Sequence, residues 1–353
     1  MGVRPVTGVH PRTGADRWPC QHRGMLIVGV LALVVAAVAA LCLWRSLRRE
    51  LSVAPARPLD FDTAVRAAEA VIAAEAADPE VRPESHGRLL SHGSRTGRAV
   101  LLLHGYTLAP DQYDELAEEF FDRGYNVWVP RAPQHGTVDL RAHHRVQADE
   151  LTTYAAQALA VAEGLGDEVG VVGISGGAVL AAWLAQVPGT VVRRLLLLSP
   201  FFGPDRRQTP AFAVRPLIML YGRSILPDRV TSRGYSLAAV TQYLSIARTL
   251  PKPPRRTGLR TAAVAISPLD GVVDLGAAER VPRRIADANA IPLQVCTLPE
   301  ALGVGHNTLN LTALGADGPE LRRLYIALYE GEPLPGPFPY RVGGVAPLNT
   351  GGA

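Results

Sequence analysis

Three residue types in one order could perform acyl chemistry in this chain: a serine, an aspartate and a histidine. Gly173-Ile174-Ser175-Gly176-Gly177 reads G-x-S-x-G. A serine at the centre of such a turn, between a strand and a helix, is pushed out above the sheet with its Oγ exposed. The flanks fit. Glu168-Val169-Gly170-Val171-Val172 precedes the turn and a helical Ala-Val-Leu-Ala-Ala-Trp-Leu-Ala run follows it. Gly173 and Gly177 are required where the strand and helix approach too closely for side chains. The competing reading is a glycine-rich turn with an incidental serine, and the flanks argue against it.

A serine alone is a weak nucleophile, so a base and an orienting acid must follow it. Ser267-Pro268-Leu269-Asp270-Gly271-Val272-Val273-Asp274 stands directly after an apolar, strand-like run. Asp270 is closer to the strand end and is the favoured acid. Asp274, the alternative, is placed to cap a helix starting near Leu275. Gly303-Val304-Gly305-His306-Asn307 follows the last strand-like run, and His306 is the candidate general base. Seventy residues before the serine stands His104-Gly105-Tyr106-Thr107, also directly after a strand. The loop in that position supplies an oxyanion donor, so the expected pair is the backbone N–H of Tyr106 and that of Gly176. His104 is a tempting base, but a histidine that structures this loop is the favoured reading. His135, His143 and His144 read as structural or solvated. No cluster has metal-ligand spacing, and no metal or cofactor is expected.

The elements that must hold these residues are legible as an alternation. Strand-length apolar runs stand at 89–90, 99–103, 125–129, 168–174, 194–199, 261–266 and 293–297. Helical stretches fall at 60–78, 111–123, 146–163, 177–187, 276–289 and 318–330. Short, continuous Val- and Leu-rich runs between helices predict a mostly parallel sheet covered on both faces. The spacing breaks once, at about 200–260, which is too long for an ordinary connection. That segment carries Phe201, Phe202, Phe212, Leu217, Tyr221 and Tyr243 and reads as an inserted cap. Residues 331–353, rich in Pro and Gly, read as a loose tail.

Together these motifs resemble the α/β-hydrolase superfamily over roughly residues 85–330, most of all its bacterial carboxylesterase and monoacylglycerol-lipase-like branch. In that branch the strand ending in His-Gly-aromatic is followed by a segment like Arg123-Gly124-Tyr125-Asn126-Val127, then by Pro130 to His135-Gly136. Gln134 departs from the pattern, standing where glycine is common. The resemblance implies a serine hydrolase with Ser175, Asp270 and His306 as its triad and the insertion as a cap over the site. Its substrate would be a small ester with an apolar part. A thioesterase, peptidase or acyltransferase on the same triad is the first alternative. A non-catalytic binding domain on the same scaffold is the second.

The charge is unevenly distributed. The 353 residues carry 36 Lys and Arg against 32 Asp and Glu, and the isoelectric point is about 9.1. Residues 1–50 hold seven arginines against two acids, so residues 51–353 are left with 29 basic against 30 acidic groups. That balance argues against a nucleic-acid partner, which would need a basic excess. Three scattered cysteines exclude a disulfide scaffold.

The arginines of residues 1–50 flank an uncharged stretch from Gly24 to Trp44, roughly 31 Å long as a helix at ~1.5 Å per residue. Arg23 closes one end and Arg45, Arg48 and Arg49 the other, with Trp44 at an interfacial position. The expectation is a basic segment at 1–23, a single transmembrane helix at 24–44, a linker at 45–59 and a hydrolase domain at 60–330, placed at the cell membrane. A cleaved signal peptide would have a shorter apolar run, and bulky Leu41 argues against a lipoprotein site at Cys42. Four arginines stand on each side of the span, so the positive-inside rule selects no orientation. A start at Met25 would remove the first four and favour a cytoplasmic catalytic domain.

Overall fold

The computed structural model describes residues 1–2, 20–51, 59–310, 315, 317–332 and 342–343, and within the first helix the side chains of residues 25–41. The chain divides into two compact units, Met1–Ser46 and Leu47–Ala353.

The first unit carries most of α1, Cys20–Glu50. All its described side chains are exposed, Leu26 and Leu33 at 70% and 72%. Among the described residues no helix is long and apolar enough to cross a membrane. The transmembrane helix expected at 24–44 therefore has no support from the described residues. Residues 3–19 of the basic segment, residues 52–58 of the linker and most of the tail lie outside them, and α1 runs through residues 45–50, which were expected to be linker.

The second unit is built on one sheet of eight strands: β1 (Arg88–Leu90), β2 (Thr96–Leu103), β3 (Asn126–Val129), β4 (Gly166–Ile174), β5 (Val192–Leu198), β6 (Thr261–Ile266), β7 (Leu293–Thr297) and β8 (Val342–Gly343). Their order across the sheet is β1-β3-β2-β4-β5-β6-β7-β8. The six central strands run parallel, and β1 and β8 add one antiparallel strand at each edge. The two-residue β8 lies in the stretch expected to be a loose tail. Its two residues carry no strand-like periodicity, and pairing with β7 alone defines it.

Burial explains the continuous apolar runs. Ala99 to Leu103 are fully buried, as are Val127 and Val129 of β3. Each Val or Leu among them removed from water contributes about 1.5–3 kcal/mol. The covering helices are α2 (Phe61–Ala77), α3 (Asp114–Asp122), α4 (Ala148–Leu165), α5 (Gly176–Leu184), α8 (Leu275–Ala288) and α9 (Gly318–Glu330). Local signals start several of them. Asp60 caps α2 through Thr63 N–H at 2.8 Å, and Gln147 with Glu150 forms a capping box on α4.

The order of strands places the site. After β2 the chain adds β3 on one side and then β4 on the other. Loops leaving the carboxyl ends of β2 and β4 therefore diverge and open a crevice between them. Register fixes the alignment: Leu103, the last residue of β2, pairs with Gly173. Between β5 and β6 stand α6 (Val214–Leu220) and α7 (Leu237–Thr249).

Candidate active site

Ser175 joins β4 directly to α5 and sits at φ +54°. With ψ at −113° this is a strained positive-φ conformation, costing an ordinary residue about 1–3 kcal/mol, and it is held here from several sides. The Ser175 N–H donates to Leu198 O at 2.9 Å, and its own carbonyl accepts from Phe201 N–H at 3.1 Å. The turn can close because its glycines have no side chains. A Cβ on Gly173 would lie 2.4 Å from Gly177 O, and one on Gly177 would lie 2.0 Å from Leu103 O.

His306 reaches this serine from the loop after β7. Its Nε2 stands 2.8 Å from Ser175 Oγ. Its Nδ1 stands 2.7 Å from Asp270 Oδ2. With Nδ1–H donated to the carboxylate, Nε2 is left as the acceptor for the serine hydroxyl. Asp270 is buried, and its Oδ1 accepts from the N–H groups of Val272 and Val273 at 2.8 and 3.3 Å. Asp274 is occupied elsewhere. It caps α8 through Ala277 N–H at 3.1 Å and pairs with Arg206 at 2.7 Å.

The N–H of Gly176, as the first residue of α5, has no partner within the helix. The Tyr106 loop lies beside it. A Cβ on Gly105 would touch Ser175 Cβ at 3.6 Å. The Tyr106 hydroxyl accepts from Ser236 N–H at 3.3 Å, linking this loop to the start of α7.

The other histidines support the loop. His104 is buried. It accepts from Ala132 N–H at Nε2, 2.9 Å, and its Nδ1 stands 3.0 Å from Gly105 O. It thereby joins the loop after β2 to the one after β3 and does not reach Ser175. Burial first, opposed in part by the Gly105 hydrogen bond, pushes its pKa down to about 4. His135 packs edge-on against it at 5.2 Å, and burial holds it well below the usual histidine range. His143 packs on Tyr106 at 5.0 Å, with burial lowering its pKa to about 4. His144 stacks edge-on against His143 at 4.7 Å. Gln134 adopts φ +62°, the conformation for which glycine is common there, so the departure changes the residue and keeps the turn.

Two positioning residues escaped the sequence reading. Gln112 accepts from Gly105 N–H at 2.9 Å and donates to Asn307 Oδ1 at 3.1 Å, so it bridges the loops of Tyr106 and His306. Ser267 Oγ donates to Val304 O, tying the loop of Asp270 to that of His306. Neither forms a sequence motif, because each acts across the fold.

A cavity of about 340 Å³ opens over Ser175 and His306. Its wall is mainly apolar, with Phe201, Leu217, Val240, Tyr243 and Leu244 facing it. Of the aromatics expected in a cap, Phe201 and Tyr243 line this space. Phe212 is 82% exposed and Tyr221 is buried. Among the described residues no group of three or more His, Cys, Asp or Glu is arranged to hold a metal ion.

A mostly parallel sheet, a positive-φ serine on the turn after its central strand, and a histidine and aspartate on later strand ends define the α/β-hydrolase class of fold. Residues 100–316 match the Alpha/beta hydrolase family, and the chain belongs to that family. Solved structures share the fold at low identity. A structure from work on LipS and LipT, two metagenome-derived lipolytic enzymes, is 19% identical with a TM-score of 0.53, covering 72% of this chain and 100% of its own. The monoacylglycerol lipase of Paleococcus ferrophilus is 16% identical with a TM-score of 0.51, covering 69% and 98%. Est1E of Butyrivibrio proteoclasticus, solved with ferulic acid bound, is 13% identical with a TM-score of 0.50, covering 69% and 94%. No curated protein matches the sequence.

Proposed function

We propose that the chain is a serine hydrolase that cleaves carboxylic esters with an apolar acyl or alcohol part. One observation carries this reading: the continuous relay from Ser175 Oγ through His306 to buried Asp270, at 2.8 and 2.7 Å. His306 Nε2 takes the Ser175 proton as Oγ attacks the ester carbonyl. The oxyanion is held by the N–H groups of Gly176 and Tyr106, each contributing about 3 kcal/mol to the transition state. His306 then protonates the departing alcohol. Water, deprotonated by the same imidazole, releases the acyl group from Ser175. Asp270 orients the imidazole and stabilises its cationic form. The apolar wall above Ser175 supports an apolar substrate group.

The test is labelling by a fluorophosphonate together with hydrolysis of p-nitrophenyl esters. Wild type is expected to label and to turn over, and Ser175→Ala to do neither. A Ser175→Ala protein that still labels at the wild-type rate overturns the assignment.

We also propose that residues 24–44 anchor the protein in the cell membrane, on the strength of their uncharged sequence between Arg23 and Arg45. Full-length protein should sediment with membranes after a carbonate wash. Full-length protein released by carbonate counts against the anchor.

A further inference from the structure

A second, larger cavity of about 780 Å³ lies beyond the 201–209 segment, between the β5–β6 insertion and α8. Its floor is apolar, formed by the buried Phe202, Val214, Leu250 and Ile285. Its walls and rim carry Arg206, Arg248, Lys252, Arg280 and Arg284, against only Asp274 and Asp287. Asp274 is taken by Arg206 and by the α8 cap. Arg280 and Arg284 are exposed and have no carboxylate partner among the described residues. Burial and the nearby Arg215 lower the Arg248 pKa, so this guanidinium sits in a field that an anion would relieve.

The charge of the whole region agrees. Residues 200–290 hold fourteen Arg and Lys against six Asp and Glu, so the near-neutral balance of residues 51–353 conceals a local excess of eight positive charges. An apolar floor with a cationic rim matches a molecule with an apolar body and an anionic head. A concavity of about 780 Å³ suits an inserted chain better than a flat lipid surface.

We infer that this cavity is a second binding site, distinct from the one at Ser175, and that it takes a monomeric long-chain carboxylate. The chain lies on Phe202, Val214, Leu250 and Ile285, and the carboxylate meets Arg280, Arg284 and Arg248. Pro204 and Thr209 border both cavities, so the occupant abuts the space over Ser175. The inference does not depend on ester hydrolysis.

The experiment uses the full chain with palmitate below its aggregation concentration, hexadecanol, and phosphatidylglycerol vesicles. Calorimetry should show palmitate binding, with hexadecanol about tenfold weaker, a loss typical of removing one charged contact. Arg280→Glu with Arg284→Glu should weaken palmitate by about tenfold or more at an unchanged melting temperature. A diazirine-bearing palmitate should crosslink to peptides spanning 202–214 or 281–288. Equal binding of hexadecanol, crosslinks confined to residues 237–244, or binding to the vesicles with none to monomeric palmitate would each overturn the inference.

Discussion

His306 Nδ1 meets Asp270 Oδ2 at 2.7 Å across 36 residues of sequence, while Asp274, four residues further on, is consumed by the start of α8 and by Arg206. Two neighbouring carboxylates thus have separate employments. The division is set by which of them the β6 loop turns toward the β7 loop. Asp270→Asn is expected to lower kcat for esters by about 10⁴-fold, because the amide no longer selects the imidazole tautomer. Asp274→Ala should leave kcat near wild type and cost about 1 kcal/mol of stability through the lost cap. Steady-state kinetics and urea unfolding of both variants separate the two roles.

Gln112 holds Gly105 N–H with its carbonyl oxygen and Asn307 with its amide nitrogen. Gln112→Ala removes the link between the Tyr106 loop and the His306 loop. The expected result is a drop in kcat of about tenfold, the equivalent of one lost hydrogen bond, with a smaller change in KM. A change confined to KM would show that Gln112 contacts substrate instead.

Gly177 leaves no room for a methyl group, since a Cβ there would stand 2.0 Å from Leu103 O and 2.5 Å from His104 O. Both obstacles are backbone and cannot swing aside. Gly177→Ala is expected to lower stability by about 3 kcal/mol or to prevent folding. Thermal unfolding gives the comparison, and an unchanged midpoint would contradict the close strand–helix approach.

His104 is buried with its pKa depressed to about 4, against an ordinary value of 6.5. Between those values the unfolded chain binds a proton that the folded chain excludes. The stabilising contribution is therefore complete above about pH 6.5 and is lost as pH falls toward 4, in total roughly 3 kcal/mol. His104→Gln should flatten that part of the stability curve. Urea midpoints measured from neutral pH to about pH 4.5 test the slope. A variant as acid-sensitive as wild type would mean that other groups, such as His135, dominate.

Deletion of residues 1–50 removes α1 and leaves the sheet, its covering helices and Ser175, Asp270 and His306 in place. The truncated chain is expected to remain in the soluble fraction with ester hydrolysis within about twofold of full length, since Ser175, Asp270 and His306 all lie within Leu47–Ala353. Fractionation followed by an ester assay reads both outcomes.

Much of the architecture was legible because it is written in local pattern. The runs at 261–266 and 293–297 are β6 and β7 residue for residue, β6 because five of its six residues are apolar and buried, β7 despite the half-buried Gln294 within it. G-x-S-x-G between a strand and a helix carries its own geometry: Gly173 and Gly177 permit the close approach and Ser175 takes the positive-φ turn. The order serine, aspartate, histidine is the one that the fold built around this turn uses. Sequence favoured Asp270 over Asp274 from its nearness to the strand end, but it could not show His306 meeting the one while Arg206 and the start of α8 take the other. It could not reveal Gln112 bridging to Asn307 across 195 residues, nor Ser267 fastening the loop of His306. Nor could it show that Phe212 lies exposed while Tyr243 covers Gly176, or that the arginines of the insertion and of α8 converge on one cavity. Those relationships depend on strand register and on the diverging loops between β2 and β4, which bring distant side chains within hydrogen-bonding reach only after the sheet has formed. Local backbone preference is a property of neighbouring residues, whereas the pairing of side chains at a site is a property of the assembled sheet.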